Sequence, residues 1–358
     1  MKRPWPGAWL IVLLAMTAAP LLARAQGEPR HEYVYIQATG TRNIYVIDAT
    51  TFAVVREIPI GDRTDDVIGS PDGRMAFANA QISIGSPLSP AISEAGKIFG
   101  ISTATGKILW STYVEGVPNH LAIDPTGSRL YVPLFNRDWL LVLDAHSGRI
   151  IDRWYSVIGN HGLEMSADGK RLYVGNMITD SIWVYDTATG KVVDDIQAGE
   201  AVRPLKLDPD QTHILYQLSR FHGFKVRDLA TGQVRSVDLP ALPPNAPWPT
   251  SMPFTVDHGL AFTPDHKKLL ANGSIGGYVA VYSVPDYRLL GTIKVGYDCN
   301  WIAIRADSKI AFISNRAENT LSVVDLDAMK EIKQIPVGQV PQRLSIIDVP
   351  VAEHVAAR

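Results

Sequence analysis

The sequence predicts an all-β protein, a seven-bladed β-propeller with four-stranded blades. Short runs of β-branched and aromatic residues, such as Leu172–Val174 and Ile182–Tyr185, recur along the chain and are separated by turns such as Thr187–Gly190. Many short, evenly spaced strands with Gly-containing turns are typical of barrels, sandwiches and propellers. A constant repeat length and one unpaired strand pattern at the C-terminus favour the propeller.

Two independent polar markers establish the repeat length. A polar residue ends the predicted third strand of each unit, at Asp48, Ser102, Asp144, Asp186, Asp228, Ser283 and Asp325. A second polar residue begins the predicted inner strand of each unit, at Asp65, Asn119, His161, Arg203, His258, Asn300 and Gln342. Both series advance by 42 residues, except for one step of 54 and one of 55. The chain therefore contains seven copies of one unit and two insertions.

A unit of about 40 residues with four strands is the repeat of a propeller blade. The Asp before each turn is expected to accept hydrogen bonds from backbone N–H groups of that turn. After Gln342 only one inner-strand pattern remains, at 344–349, and residues 33–60 supply the strands that this pattern needs. We therefore expect the last blade to be shared between the N- and C-terminal strands, which closes the ring.

The N-terminal residues 1–25 are predicted to be a signal peptide, and residues 26–358 a single propeller domain. Lys2 and Arg3 precede an apolar stretch over residues 8–22, and Ala23–Ala25 has the small-x-small pattern of a cleavage site. Cleavage is expected after Ala25. The mature protein is then expected to be periplasmic or secreted.

Composition narrows the classes of partner and cofactor. The net charge of −2 favours neither nucleic acid nor an anionic membrane as a partner. The single cysteine, Cys299, excludes an intrachain disulfide, and the absence of C-x-x-C-H excludes covalent c-type haem. No apolar run after Gln26 is long enough to predict a membrane anchor. We expect a monomer whose partner is a small molecule or a periplasmic protein.

Two segments carry the specific repeat pattern. Leu172–Asn176 reads Leu-Tyr-Val-Gly-Asn, and Ile182–Lys191 continues through a strand that ends in Asp-Thr-Ala-Thr-Gly-Lys. This pattern resembles the YVTN family of bacterial propeller repeats, within the superfamily that includes the propellers of quinoprotein amine dehydrogenase and nitrous oxide reductase. The resemblance implies the fold over the whole mature chain. Because its motifs are strands and turns, function has to be argued from a site.

The two insertions are predicted to lie on the same face as the second marker series. One, at 82–96, joins the second and third strands of its blade, and the other, at 239–253, joins two successive blades. In an up-and-down blade both connections emerge at the end where the inner strand begins. The second insertion contains six prolines and Trp248, which can form a rigid wall beside a ligand. Extra loops on one face of a repeat array often form its binding face.

The second marker series predicts a polar ring at the mouth of the central channel. Our leading hypothesis is that this mouth binds a small, anionic ligand or a cofactor, with Arg203, His161, His258 and Asn300 as the main contacts. Asn119, Asp65, Gln342 and Trp248 complete the candidate ligand-binding set. Below the ring, Glu164 and Lys206 occupy matching positions on adjacent blades and are expected to pair.

The sequence leaves several alternatives open. His161, His258 and His120 can bind a transition metal, for which Cu, Mn or Fe is expected. His161 or His258 can instead act as a general base beside Arg203, as a lyase or lactonase would require. A metal at this mouth would suit an oxidoreductase, whereas the mouth of a scaffold would dock a partner redox protein. A water-filled channel whose polar groups satisfy one another is the simplest alternative.

Overall fold

Seven four-stranded antiparallel sheets form the structure, a computed structural model that describes residues 28–83, 93–242, 244 and 255–351. The predicted signal peptide and Trp248 lie outside these residues. The only helical element within them is the 3₁₀ turn Ser274–Gly276. None of their helices is long and apolar enough to cross a membrane.

The strands are numbered in chain order, and those of each blade follow from its inner to its outer edge. The first blade contains β28 (Pro341–Pro350), β1 (Arg30–Ala38), β2 (Asn43–Asp48) and β3 (Val54–Pro59). The second contains β4 (Arg63–Gly69), β5 (Met75–Ser83), β6 (Ser93–Ser102) and β7 (Ile108–Val114). The third contains β8 (Ala122–Ile123), β9 (Arg129–Pro133), β10 (Trp139–Asp144) and β11 (Ile150–Tyr155). The fourth contains β12 (Asn160–Met165), β13 (Arg171–Asn176), β14 (Ser181–Asp186) and β15 (Lys191–Gln197). The fifth contains β16 (Val202–Leu207), β17 (His213–Leu218), β18 (Gly223–Asp228) and β19 (Val234–Asp238). The sixth contains β20 (Leu260–Phe262), β21 (Lys268–Gly273), β22 (Tyr278–Ser283) and β23 (Leu289–Lys294). The seventh contains β24 (Cys299–Ile304), β25 (Ile310–Asn315), β26 (Thr320–Asp325) and β27 (Lys330–Pro336).

The inner strands surround the central channel. Strand β28 contacts β4 and β24, β12 contacts β8 and β16, and β20 contacts β16 and β24. The backbone N–H of Leu121, just before β8, donates to the carboxylate of Asp66 on β4, which connects the second and third blades. The seven-bladed propeller predicted from the sequence is confirmed.

The ring is closed by a blade that both chain ends build. Val34 of β1 pairs with Ile346 of β28 on one side and with Ile47 of β2 on the other. Strand β1 therefore lies between β28, from the C-terminal end of the chain, and β2. The blade shared between the chain ends is confirmed.

The hydrophobic core is divided among the blade interfaces. Seven clusters of buried apolar side chains are present in the described part of the chain, and each joins two successive blades. Phe312 and Val34, for example, are fully buried in the cluster between the seventh and first blades. Because every sheet buries both faces against its neighbours, closure of the ring leaves no terminal blade exposed.

The turns between third and fourth strands have the predicted Asp interaction. Asp228 Oδ1 accepts hydrogen bonds from the backbone N–H groups of Ala230 and Thr231 at 2.9 and 2.7 Å. The turn ends at Gly232, whose φ of 74° lies in the left-handed region that favours glycine. These hydrogen bonds stabilise the turn that connects the third strand of a blade to its fourth, outermost strand.

Candidate functional site

A β-bulge at the start of the inner strands places the polar ring. In β12, Asn160 pairs with Asn176 and Leu163 with Val174, so two residues of the inner strand oppose one residue of its neighbour. Strands β16, β24 and β28 show the same two-against-one register. The bulged residues are His161–Gly162, Arg203–Pro204, Asn300–Trp301 and Gln342–Arg343. Because a bulge redirects side chains, the marker residue and the residue after it both contribute to the ring.

Three histidines from three different blades meet in this ring. His120, His161 and His258 each offer one ring nitrogen, and these nitrogens all lie within 4.8 Å of one another. The ring centroids of His120 and His161 are 4.6 Å apart, and those of His161 and His258 are 5.6 Å apart. All three side chains are buried, with relative exposures of 4–5%. The structure thus brings the three metal candidates of the sequence into one cluster.

The environment keeps the three imidazoles neutral. Burial lowers the pKa of each well below its usual value, and the charge of Arg343 lowers all three further. Arg203 adds to the effect on His161 and His258. Neutral imidazole has a lone pair on one nitrogen, which is the form that binds a metal or accepts a proton.

The hydrogen bonds around the cluster leave buried nitrogens without partners. His258 Nδ1 donates to the backbone oxygen of Asn300 at 3.3 Å, which fixes its tautomer. His120 Nδ1 lies 3.9 Å from Asp66 Oδ2. His120 Nε2 and His161 Nδ1 are buried and have no hydrogen-bond partner among the described residues. Such unsatisfied buried groups are costly unless a ligand or ion binds them.

Asp66 is the carboxylate next to His120. Its oxygens accept from the backbone N–H groups of Val67 and Leu121, at 2.8 and 2.9 Å. Burial raises its pKa to about 6, although Arg343 opposes this shift. Asp66 is therefore a carboxylate held rigidly behind the imidazole, as is common for metal-binding histidines.

Two buried arginines adjoin the histidines. Arg343 Nη1 forms a 2.5 Å ion pair with Asp65 Oδ2, and its Nη2 lies 3.3 Å from Asn119 Oδ1 and 3.5 Å from His161 Nε2. Arg203 Nε donates to Ser219 Oγ at 2.7 Å, and Nη1 lies 3.2 Å from Met177 Sδ. Burial, with Arg343 nearby, lowers the pKa of Arg203 to about 10, so Arg203 is charged at neutral pH.

Trp301 covers the cluster on the side of the channel. Its ring centroid is 5.1 Å from that of His120 and 5.6 Å from that of His258. The guanidinium carbon of Arg343 lies 5.8 Å from the same ring, within range of a cation–π interaction. Below Trp301, Lys206 Nζ and Glu164 Oε2 are 2.7 Å apart, as the sequence predicted.

Most of the sequence-predicted ring residues lie at this site, with different roles. Asp65 and Asn119 bind Arg343, and Asn300 orients His258 through its backbone oxygen. Gln342 is half-buried, and its backbone oxygen accepts from Ser314 Oγ. Trp248 cannot be assigned a position, because it lies outside the described residues.

Three further residues complete the site: Asp66 and Arg343, which the sequence places beside the ring, and Trp301, whose role the sequence leaves open. Each directly follows a marker residue, at Asp65, Asn300 and Gln342. The signal that finds them is the position directly after a marker residue, which His120 also occupies because it follows Asn119.

A second polar network lies beside the ring, where the 239–253 insertion begins. His222 Nδ1 contacts the carboxylate of Asp257 at 3.0 Å, and Nε2 contacts the backbone oxygen of Pro240 at 2.9 Å. Tyr278 donates its O–H to the same oxygen at 2.6 Å. Burial lowers the pKa of His222, but its contacts with Asp257 outweigh burial and raise it overall. The network joins Pro240, at the start of the insertion, to the blade that carries His258.

Comparison with known proteins identifies the fold only. No protein-family model and no curated protein matches the sequence. Among solved structures, a functionally unknown protein from Desulfotomaculum acetoxidans has a TM-score of 0.70 and 10% identity, covering 88% of this chain and 99% of that one. A putative 6-phosphogluconolactonase from Bacteroides fragilis has a TM-score of 0.66 and 17% identity, covering 89% and 98%. Hydrazine synthase from Kuenenia stuttgartiensis has a TM-score of 0.64 and 17% identity, covering 79% and 89%. These structure neighbours are β-propeller proteins. The finer assignment to the YVTN repeats stays a prediction.

Proposed function

We propose that the protein binds a transition-metal ion at the channel mouth through His120, His161 and His258. The observation that carries this proposal is that three neutral, buried imidazoles offer nitrogens within 4.8 Å of one another. Metal–nitrogen bonds of about 2.0–2.1 Å place the nitrogens around one ion closer together than this, so the proposal requires the three side chains to move toward one another on binding.

The donor set narrows the choice of metal. Of the ions expected from the sequence, copper and iron suit imidazole ligands, whereas manganese prefers carboxylates and water. His258 has the outer contact that orients metal-binding histidines, a hydrogen bond to the backbone oxygen of Asn300 at 3.3 Å. The carboxylate of Asp66 lies 3.9 Å from His120, beyond hydrogen-bond distance. A three-histidine site leaves a coordination position for a further ligand.

That further ligand is proposed to be a small anion. Three neutral histidines leave the charge of a divalent ion uncompensated, and Arg203 adds positive charge beside it, whereas Arg343 is paired with Asp65. A carboxylate or similar anion would offset this positive charge. The proposal thus includes the small anionic ligand predicted from the sequence, with Arg203 as one of its contacts. We propose that the site functions in the periplasm or outside the cell, in accordance with the predicted signal peptide.

Metal titration tests the proposal directly. Protein stripped with a chelator is titrated with Cu²⁺ or Fe²⁺, and bound metal is measured by elemental analysis and calorimetry. One ion per chain is expected, with Cu²⁺ showing nitrogen hyperfine structure in its electron paramagnetic resonance spectrum. His161→Ala and His258→Ala should weaken binding strongly, whereas His146→Ala, which alters an exposed turn residue, should not. Equal binding by all variants would refute the assignment.

A metal-free anion site at the same mouth is the second candidate. The buried guanidinium group of Arg203 supports it, because its positive charge opposes a cation and attracts a carboxylate, whereas Arg343 is paired with Asp65. Thermal stabilisation by small carboxylates in chelator-treated protein, lost in Arg203→Met, would favour this candidate. The same stabilisation only after metal is added would favour the metal site.

A further inference from the structure

The His222 side chain, in the turn between β17 and β18, has a hydrogen-bond acceptor at each nitrogen of its ring. Nδ1 lies 3.1 and 3.0 Å from the two carboxylate oxygens of Asp257, and Nε2 lies 2.9 Å from the backbone oxygen of Pro240. An ionised carboxylate and a backbone carbonyl only accept hydrogen bonds. Both contacts are therefore hydrogen bonds only when both ring nitrogens carry a proton, which is the charged, imidazolium form.

Burial makes the charge of His222 important for its partner. The Asp257 side chain is fully buried, and that of His222 is 14% exposed. Burial raises the pKa of Asp257 only to about 6, so its carboxylate is ionised at neutral pH. A neutral imidazole would leave this carboxylate without its counter-ion in the protein interior, which is costly. The folded protein thus favours the imidazolium form, in accordance with the raised pKa of His222.

The Tyr278 hydroxyl provides a different arrangement for the neutral form. It donates to the backbone oxygen of Pro240 at 2.6 Å and lies 3.0 Å from His222 Nε2. When Nε2 carries a proton, the Pro240 oxygen receives hydrogen bonds from both the imidazolium and the hydroxyl. When Nε2 loses its proton, its lone pair faces the Pro240 oxygen, and the hydroxyl can rotate to donate to Nε2. The Pro240 oxygen then loses the imidazole donor and competes with Nε2 for the hydroxyl.

Asp238 and three neutral groups complete the surroundings of His222. Asp238, at the end of β19, contributes negative charge that helps to raise the pKa of His222. Burial raises the pKa of Tyr278 and Tyr282 on β22, and of Cys299 at the start of β24, so all three stay neutral. Among these groups, His222 is the one that loses its charge as the pH rises above neutrality.

We propose that His222 is a pH-dependent switch that holds Pro240, at the start of the 239–253 insertion, against the sixth blade. In the imidazolium form, the ring bridges Pro240 and Asp257. In the neutral form, the bridge is broken on the Pro240 side and this contact is released. The switch requires neither a metal nor an anion at the channel mouth, so it can fail independently of the proposed function.

Nitrogen NMR of protein labelled with ¹⁵N-histidine measures the charge of His222, whose signals are assigned with His222→Gln. At about pH 6.5 an ordinary histidine is half charged. Both ring nitrogens of His222 should be predominantly protonated at this pH and should titrate only at a higher one. Asp257→Asn removes the counter-ion and should shift the titration to lower pH. A wild-type His222 that is mainly neutral at about pH 6.5 would overturn the proposal.

Amide hydrogen exchange of Leu239 measures the release. Its backbone N–H donates to the backbone oxygen of His222 at 3.2 Å, directly before Pro240. Corrected for the intrinsic pH dependence of exchange, its protection in the wild-type protein should fall at least about tenfold as the pH rises through the His222 titration.

Two matched histidine variants show whether this step belongs to His222. His222→Gln should exchange at Leu239 without a pH-dependent step, and circular dichroism establishes that this variant folds. His146→Gln, in an exposed turn, is the control and should retain the step. Protection that stays constant across the wild-type titration, or a step that persists in folded His222→Gln, would overturn the proposal.

Discussion

Replacing Arg343 by methionine should destabilise the protein by about 3–5 kcal/mol, the usual cost of removing one partner of a buried ion pair. Arg343 and Asp65 have side-chain exposures of only 4% and 13%, so solvent screens the pair little. The substitution also removes the donors to the backbone oxygen of Asp65 and to Asn119 Oδ1. Asp65 then remains as an uncompensated charge at the point where β28 meets β4.

The double variant separates the loss of the pair from the loss of packing. Asp65→Asn combined with Arg343→Met removes both charges, and should be less destabilised than the sum of the single variants by at least about 1 kcal/mol. Arg171→Met is the matched control. That arginine forms an ion pair of the same 2.5 Å length with Asp186 but is 41% exposed. It should cost no more than about 1 kcal/mol.

The assay is equilibrium urea denaturation followed by tryptophan fluorescence, with midpoint and slope fitted for each variant. An Arg343→Met loss of under about 1 kcal/mol, or strictly additive single and double variants, would refute the reasoning. Arg343 also lowers the pKa of all three clustered histidines. Its positive charge also repels a cation bound there, so Arg343→Met should bind Cu²⁺ more tightly at the proposed metal site, with the loss of stability described above.

Three further predictions concern the site, the closing strand and the turns. Asp66→Asn should weaken Cu²⁺ binding about 10–100-fold while leaving one site per chain, as calorimetry would show; undiminished affinity would exclude Asp66 from orienting His120. Leu344→Ala, at a side chain that is 1% exposed, should lower the free energy of unfolding by about 2–5 kcal/mol in urea titrations, and a negligible loss would contradict tight packing of β28. Hydrogen bonds from the following turns lower the pKa of Asp228 and Asp325, so their contribution to stability is present above about pH 4 and lost as the pH falls further. The urea midpoint should fall between about pH 5 and pH 3, and less steeply in the double variant Asp228→Asn, Asp325→Asn.

The fold could be predicted from the sequence because a propeller repeats one local pattern. Each unit carries its own turn signals, and the 42-residue spacing counts the units without any knowledge of long-range contacts. The inner-strand pattern at 344–349 has no further strand after it in the sequence with which to pair. In the structure it pairs with β1, from the other end of the chain. Periodicity was sufficient at this level because neighbouring blades contact one another in the same way around the ring.

The site was predicted only in outline, because spacing does not show whether a marker residue or the residue after it reaches the axis. His161 and His258 are marker residues, whereas His120 follows one, yet all three meet. The pairing of Arg343 with Asp65 joins residues at opposite ends of the chain and follows from ring closure rather than from any local pattern.

The position of β28 makes completion of the site depend on the end of the chain. This strand is the innermost of its blade, and it carries Arg343, which contacts Asp65, Asn119 and His161. During synthesis or export, the three histidines are already part of the chain before the residue that neutralises Asp65 has emerged. The complete site therefore forms only after the last segment has docked. A prematurely terminated chain would lack both the strand that closes the ring and the arginine that completes the charges of the site.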